Sequence, residues 1–156
     1  MFNRIRPYLG FPALALAVGG LASLLTSGGM AAFDALNKPP LSPPDWVFGV
    51  VWTILYILMG VGMAIVWQET SGRERRRALA AWVLQLAVNF LWPVFFFTLE
   101  WRLFSFFWLV LLFVLVARMT RIFAQHSRLA ALLQIPYLVW LVLAGYLNLG
   151  VWILNR

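Results

Sequence analysis

The sequence predicts an all-α membrane protein, built as a bundle of five transmembrane helices. Of its 156 residues, 63% are apolar and only 11% are charged, which is more apolar surface than a soluble domain of this size can bury. Five stretches without a charged residue alternate with short polar segments. The arginines are also divided unequally between alternate segments, a pattern typical of multi-pass membrane proteins.

The five uncharged stretches give the positions of the helices. They cover residues 7–33, 46–68, 78–99, 103–117 and 129–155. All but the fourth exceed the roughly 20 residues that a spanning helix needs, and the fourth reaches that length if Arg118 and Arg121 snorkel to the interface. We expect one transmembrane domain over residues 1–156, with helices at about 5–26, 44–68, 77–99, 101–123 and 129–153. The first stretch is longer than a signal-peptide core, so we interpret it as a retained helix.

The basic residues predict the orientation in the membrane. With five spans, one side holds Arg4, Arg6, Arg73, Arg75, Arg76, Arg77, Arg118, Arg121 and Arg128, and the other holds Lys38, Arg102 and Arg156. The positive-inside rule then places the N-terminus in the cytoplasm. We therefore read the net charge of +7 as a topology signal. The expected partner is membrane lipid, not nucleic acid, and the expected location is a bacterial cytoplasmic membrane, with a mitochondrial or outer membrane as the alternative.

A proline-rich segment joins the first two helices. It carries Pro39, Pro40, Pro43 and Pro44, and proline both fixes φ and lacks a backbone N–H. We expect residues 27–43 to form a stiff lid over a pocket inside the bundle. The simpler alternative is a rigid loop with tryptophans at the membrane interface.

Three helical faces carry polar and aromatic side chains at helical spacing. They are Gln85, Asn89, Trp92 and Phe96; Phe48, Trp52, Tyr56 and Met59 or Met63; and Tyr137, Trp140, Ala144 and Asn148, with Leu147 beside the last. If these faces meet, they enclose an aromatic cavity with a few amides, which suits a flat and largely apolar ligand. The alternative is that the amides only hydrogen-bond between helices.

The usual groups for catalysis are missing from the sequence. It has no cysteine and one histidine, His126, and its five acids lie in loops or at helix ends. We therefore expect no metal site, no conventional catalytic constellation and no required cofactor. The lack of a charged residue in midspan also weakens the case for an ion-coupled transporter.

Several motifs together resemble the TspO/MBR family, the tryptophan-rich sensory proteins and translocator proteins. They run in family order from the first loop to the last helix and comprise 34-DALNKP-39, 42-SPPDWVF-48, 51-VWTILY-56 with Met59-Gly60, 89-NFLW-92 with Phe95 and Phe96, and 136-PYLVW-140 with Leu147, Asn148 and Trp152. Each motif alone is weak, but the combination is specific.

The resemblance implies a five-helix bundle, commonly a homodimer, with a ligand cavity under the first loop. Family ligands include porphyrins such as protoporphyrin IX or haem, drugs such as the isoquinoline carboxamide PK11195, and sterols in animal members. The implied ligand-binding residues, taken with the three faces, are Trp52, Tyr56, Asn89, Trp92, Phe96, Tyr137, Trp140, Ala144, Leu147 and Asn148. The implied lid residues are Asp34, Asn37, Lys38, Pro39, Pro43, Pro44 and Trp46.

The resemblance leaves several functions open. The first is a porphyrin-binding sensor or regulator of porphyrin and stress responses. The second is an enzyme that degrades porphyrin in light, with Trp52 and Trp140 as candidate catalytic indoles. The others are a facilitator of porphyrin or sterol transport and a structural protein without a ligand. The sterol motif that animal members carry at the end of the last helix is not matched in this chain, which favours a tetrapyrrole.

Overall fold

The computed structural model describes residues 2–156, which are 86% helical and contain no strand. The helices are α1 (Phe2–Thr26), α2 (Met30–Asp34), α3 (Asp45–Glu69), α4 (Gly72–Pro93), α5 (Arg102–Ala124), α6 (Arg128–Leu132) and α7 (Ile135–Leu154). Five helical segments, centred on α1, α3, α4, α5 and α7, are long and apolar enough to cross a membrane. The predicted fold class is therefore confirmed.

The spanning helices form a ring with one loose seam. Helix α1 packs on α3 and α4, and α5 packs between α4 and α7, whereas α3 and α7 approach each other less closely. The tight seam between α1 and α3 depends on small residues, because a Cβ atom at Gly60 would overlap the backbone of Pro12 and one at Gly19 would overlap the ring of Tyr56. Glycine at such crossings lets helices approach closely in lipid.

Prolines explain where two of the helices change geometry. Pro93 cannot donate a hydrogen bond to the preceding turn, and α4 continues as a π-helical turn over Val94–Thr98. The last span, expected as one helix over 129–153, is divided into α6 and α7, with Pro136 in the first turn of α7. Helix α4 begins at Gly72 instead of 77, because the arginines and Glu74 of its first turns are good helix formers.

The lid is folded and is fastened to the end of α7. After a 3₁₀ turn at Ser27–Gly29 and the short α2, the backbone N–H of Asn37 donates to Asn155 Oδ1 at 2.9 Å, and Asn155 Nδ2 donates to the Asn37 carbonyl at 2.8 Å. The Tyr146 hydroxyl donates to the Pro40 carbonyl at 2.9 Å. Pro39 packs where Gly150 has no side chain. The lid is thus held over the bundle by contacts from α7.

Candidate functional site: an aromatic cavity under the lid

A cavity of about 520 Å³ lies between α1, α3, α4 and α7, directly under the lid. Nine of the ten residues predicted to bind a ligand line it: Trp52, Tyr56, Asn89, Trp92, Phe96, Trp140, Ala144, Leu147 and Asn148. Of the ten, only Tyr137 lies outside the lining; its side chain is 1% exposed, and its hydroxyl accepts a hydrogen bond from Asn89. The structure therefore brings most of the three predicted faces together around one space, whereas Gln85, Met59 and Met63 are buried between helices and do not line it.

Aromatic rings form most of the cavity wall. The Trp52 and Trp140 rings lie 6.5 Å apart between centroids and are perpendicular, with an interplanar angle of 89°. Phe48 packs edge-on against Trp140 at 5.6 Å, and Trp92 stacks on Phe96 at 5.2 Å with 19° between the planes. Rings at these separations stabilise one another, so the wall presents indole and phenyl surfaces in defined orientations.

A chain of hydrogen bonds fixes Asn89 at the side of the cavity. The Tyr56 hydroxyl donates to Asn89 Oδ1 at 2.8 Å, and Asn89 Nδ2 donates to the Tyr137 hydroxyl at 2.5 Å. Tyr137 in turn donates to Gln85 Oε1 at 3.0 Å. A buried polar group without a hydrogen-bond partner is costly inside a membrane-spanning bundle. This series of hydrogen bonds satisfies the polar groups of α3, α4 and α7. Tyr137 and Gln85 thus act on the cavity through Asn89.

A second hydrogen-bonded group fixes Asn148 and Trp92. Trp92 Nε1 donates to Asn148 Oδ1 at 3.1 Å, and the Ser105 hydroxyl, which has a single proton to donate, lies 3.1 Å from the same oxygen and 2.8 Å from the Arg102 carbonyl oxygen. Asn148 Nδ2 donates to the carbonyl of Arg102 at 2.7 Å. Helix α5 does not line the cavity, but its first turn orients an amide that does. Ser105 and Arg102 are not among the predicted residues, and Ser105 stands in an otherwise apolar run, a signal that could have identified it.

Two of the seven predicted lid residues line the cavity, and Ser27, Met30, Phe33 and Ser42 of the same segment line it as well. Lys38 and Pro43 line it, while Asp34, Asn37, Pro39, Pro44 and Trp46 do not. Pro44 is the N-cap residue of α3, and Trp46 is 70% exposed. Lys38 Nζ lies 3.9 Å from carboxylate oxygens of both Asp34 and Asp45 and 4.6 Å from the centroid of Phe33. Lys38 therefore joins α2 to the start of α3.

Helix α1 supplies a wall that the sequence did not predict. The lining includes Leu16, Gly19, Gly20, Ala22, Ser23 and Thr26. Small residues of this kind are expected at surfaces where helices pack closely. In α1 the small residues have two roles. Gly19 leaves room for the Tyr56 ring, so that α1 and α3 pack closely, and its neighbours leave space for the cavity. The cluster of small residues near the C-terminal end of α1 was the available signal.

The chemistry available in the cavity is stacking and neutral hydrogen bonding. Its charged lining residues are Lys38 and Asp45, which lie in the lid and at the start of α3 and are both partly exposed to solvent. Within residues 2–156, no group of three or more His, Cys, Asp or Glu residues could hold a metal ion. Trp140 Nε1 is buried and has no hydrogen-bond partner in this part of the chain. This N–H is therefore unsatisfied among residues 2–156, and it is covered by its neighbours and does not lie on the open surface of the cavity.

Five spanning helices around an aromatic cavity, closed by a docked lid, define an integral multi-pass membrane protein with an internal pocket of small-molecule size. Comparison with known proteins identifies the family. The model of the TspO/MBR family matches residues 11–153, nearly the whole length, and the chain belongs to this family.

Relatives from distant organisms are similar in sequence over most of the chain. The chain is 35% identical to the tryptophan-rich protein TspO of Archaeoglobus fulgidus, over 90% of this chain and 91% of that protein. It is 38% identical to protein CrtK of Rhodobacter capsulatus, over 91% and 89%. It is 37% identical to the human translocator protein, over 94% and 88%.

Proposed function

We propose that the protein binds a flat tetrapyrrole, a porphyrin such as protoporphyrin IX or haem, in the cavity under the lid, and acts as a membrane sensor or regulator of porphyrin and stress responses. The observation that carries the proposal is the perpendicular pair formed by Trp52 and Trp140. One indole can lie against the face of a planar ring while the other meets its edge. In this proposal the porphyrin is the ligand, and binding requires no further cofactor.

The size and polarity of the cavity support this ligand class. Its volume of about 520 Å³ lies within the range of about 300–1,000 Å³ that is usual for small-molecule sites. The amides of Asn89 and Asn148 are held by protein partners, so each presents its remaining hydrogen-bonding capacity in a fixed direction. A macrocycle with an apolar face and a few polar edge groups fits such a lining. The same features extend the proposal to benzodiazepine-site drugs such as PK11195.

A titration in the dark tests the proposal. Purified protein is titrated with protoporphyrin IX, followed at the porphyrin absorbance, for the native chain, Trp140→Ala and Trp46→Ala. The native chain should bind saturably. Trp140→Ala should weaken binding roughly tenfold, since one aromatic contact contributes about 0.5–1.5 kcal/mol beyond its buried area. Trp46→Ala is the matched control, because Trp46 is 70% exposed and lies outside the lining.

Two results would count against tetrapyrrole binding. If the native chain shows no saturable binding, the ligand class is wrong. If Trp140→Ala and Trp46→Ala lose affinity for protoporphyrin IX equally, the loss is not specific to the cavity.

Light-dependent degradation of the bound porphyrin is the second candidate. The observation that favours it is that Trp52 and Trp140 both line the cavity and that Trp140 Nε1 lacks a partner among residues 2–156. An enzyme should consume protoporphyrin IX under illumination faster than free tryptophan or empty micelles, and Trp140→Phe should reduce that rate. Loss of porphyrin at the rate of the empty micelles would exclude this activity.

We further propose that the N-terminus faces the cytoplasm of a bacterium and the lid faces outward. The unequal division of arginines between the two sides supports this orientation. Because the sequence has no cysteine, single substitutions give an unambiguous test. Leu41→Cys in the lid should react with an impermeant maleimide in intact cells, and Gln125→Cys between α5 and α6 should react only after lysis. If Gln125→Cys reacts in intact cells and Leu41→Cys reacts only after lysis, the protein has the opposite orientation in the membrane.

The homodimer implied by the resemblance is also proposed for this chain. The expected result is a dimer mass in nanodiscs by light scattering corrected for lipid. A monomer mass across the accessible concentrations would contradict it.

A further inference from the structure

A second concave surface lies on the outside of the bundle, between α3 and α7. It is a groove of about 410 Å³ whose lining includes Val51, Ile54, Leu55, Val139, Trp140 and Leu143. All its lining side chains are aliphatic or aromatic, and they belong to membrane-spanning helices. The groove therefore opens toward the hydrocarbon of the bilayer.

The groove and the cavity have one lining residue in common, Trp140. Its side chain is 8% exposed and stands between the two spaces. On the cavity side it meets the rings of Phe48 and Trp52 at 5.6 and 6.5 Å. Its Nε1 has no hydrogen-bond partner within residues 2–156, so the indole is held by packing alone.

The seam between α3 and α7 is the weakest closure of the ring around the cavity. The seam between α1 and α3 is sealed by backbone, since Gly60 lies directly against Pro12. Between α3 and α7 the closure consists of ring contacts. Below these rings, away from the lid, Gln134 Nε2 donates to the Leu58 carbonyl at 3.3 Å and ties the start of α7 to α3. The rings around Trp140 are therefore the part of the seam that side-chain rotation alone can open.

We propose that the groove is the entrance through which a flat apolar molecule dissolved in the bilayer reaches the cavity, and that the Trp140 indole is its gate. The proposal rests on the proposed function, because it requires a ligand in the cavity. The groove collects the molecule from the hydrocarbon, and rotation of the indole admits it. Lipid-side access suits a ligand whose concentration in the bilayer far exceeds that in water.

The outer rim of the groove offers a matched pair of substitutions. Val139 is 65% exposed and lines the groove but not the cavity. Val142, on the same helix, is 63% exposed and lines neither. Val139→Trp should obstruct the groove, whereas Val142→Trp places the same indole at a comparable lipid-facing position. Asn155→Ala removes the two hydrogen bonds that hold Asn37 of the lid and so tests access under the lid instead.

The experiment measures protoporphyrin IX binding to the full chain in lipid nanodiscs, by stopped flow for the rate constants and by titration for Kd. Val139→Trp should lower the association and dissociation rate constants together, by about tenfold, with Kd unchanged, because a gate changes the barrier and not the end states. Val142→Trp should match the native chain.

Other outcomes overturn the gate. Equal rates for the two tryptophan variants would show that the groove is not the entrance. If protoporphyrin IX binds and dissociates faster in Asn155→Ala, and Val139→Trp has no effect on either rate, the ligand enters under the lid. A raised Kd with an unchanged association rate in Val139→Trp would show a distorted cavity instead of a gate. Absence of saturable binding in the native chain would refute the proposed function itself, so the two failures are distinguishable.

Discussion

Tyr137 offers a sharp test of the hydrogen-bonded chain beside the cavity. In Tyr137→Phe the ring remains and only the hydroxyl is removed. The contact between the aromatic ring at position 137 and the Trp52 ring, whose centroids lie 6.0 Å apart, is therefore preserved. Two buried groups lose a partner: Asn89 Nδ2, which donates to the hydroxyl, and Gln85 Oε1, which accepts from it. The substitution therefore isolates the polar contribution.

The expected loss of stability follows from those two bonds. In water-soluble proteins an orphaned buried polar group costs about 1–3 kcal/mol. Hydrogen bonds between transmembrane helices contribute less, about 0.6 kcal/mol on average and up to about 1.7, because the unfolded helices in a bilayer also find partners. For two bonds we expect Tyr137→Phe to lower the free energy of unfolding by about 1–3 kcal/mol.

Unfolding in mixed micelles, with increasing fractions of a denaturing detergent, measures this quantity through the loss of helical circular dichroism. The control is Tyr146→Phe. The Tyr146 side chain is 44% exposed and makes one hydrogen bond, to the Pro40 carbonyl at 2.9 Å, so its loss should cost less than about 1 kcal/mol. Equal destabilisation by the two variants, or none by Tyr137→Phe, would refute the reasoning that the buried chain stabilises the bundle.

Three further substitutions probe the seam, the lid and the cavity. Gly60→Ala should destabilise the bundle by about 1–3 kcal/mol, because its methyl group overlaps the Pro12 backbone; unfolding in mixed micelles measures this loss. Asn155→Ala should speed hydrogen exchange at the Asn37 amide by about tenfold, because that N–H loses its acceptor. Ala144→Leu should weaken protoporphyrin IX binding about tenfold or more by filling part of the cavity, as measured by absorbance titration.

Each of these changes has its own control. Gly10→Ala meets no atom within 4 Å and should leave stability nearly unchanged; a loss equal to that of Gly60→Ala would contradict the sealed seam. Amides in the middle of α3 should exchange at native rates in Asn155→Ala, and general acceleration would indicate global destabilisation. Ala144→Gly enlarges the cavity and should retain binding, so equal loss in both variants would remove the steric explanation.

The sequence was sufficient to predict the architecture and much of the cavity, for identifiable reasons. Uncharged stretches of spanning length determine helices in a bilayer, because every backbone polar group there must be satisfied within the segment. The spacing of Trp52, Asn89 and Trp140 on their helices then placed these side chains on faces that could converge. These three residues do line one cavity.

The residues that sequence reasoning missed have roles that depend on neighbouring helices. Ser105 was missed because its partner, Asn148, is remote in sequence. Tyr137 was predicted to line the cavity because it shares a helical face with Trp140, and the helical period could not show that its hydroxyl would be buried against Asn89 and Gln85. Asn155, near the end of the chain, became informative only when the lid was seen to dock on it.

By itself the sequence determined that the chain spans a membrane five times and which helical faces are aromatic, because both properties depend on local composition and on the period of a single helix. Only the tertiary structure decided the order of the helices around the ring, the wall contributed by α1 and the loose seam at Trp140. Those features depend on how closely two helices approach, which is set by pairs such as Gly60 and Pro12 that no single helical pattern contains.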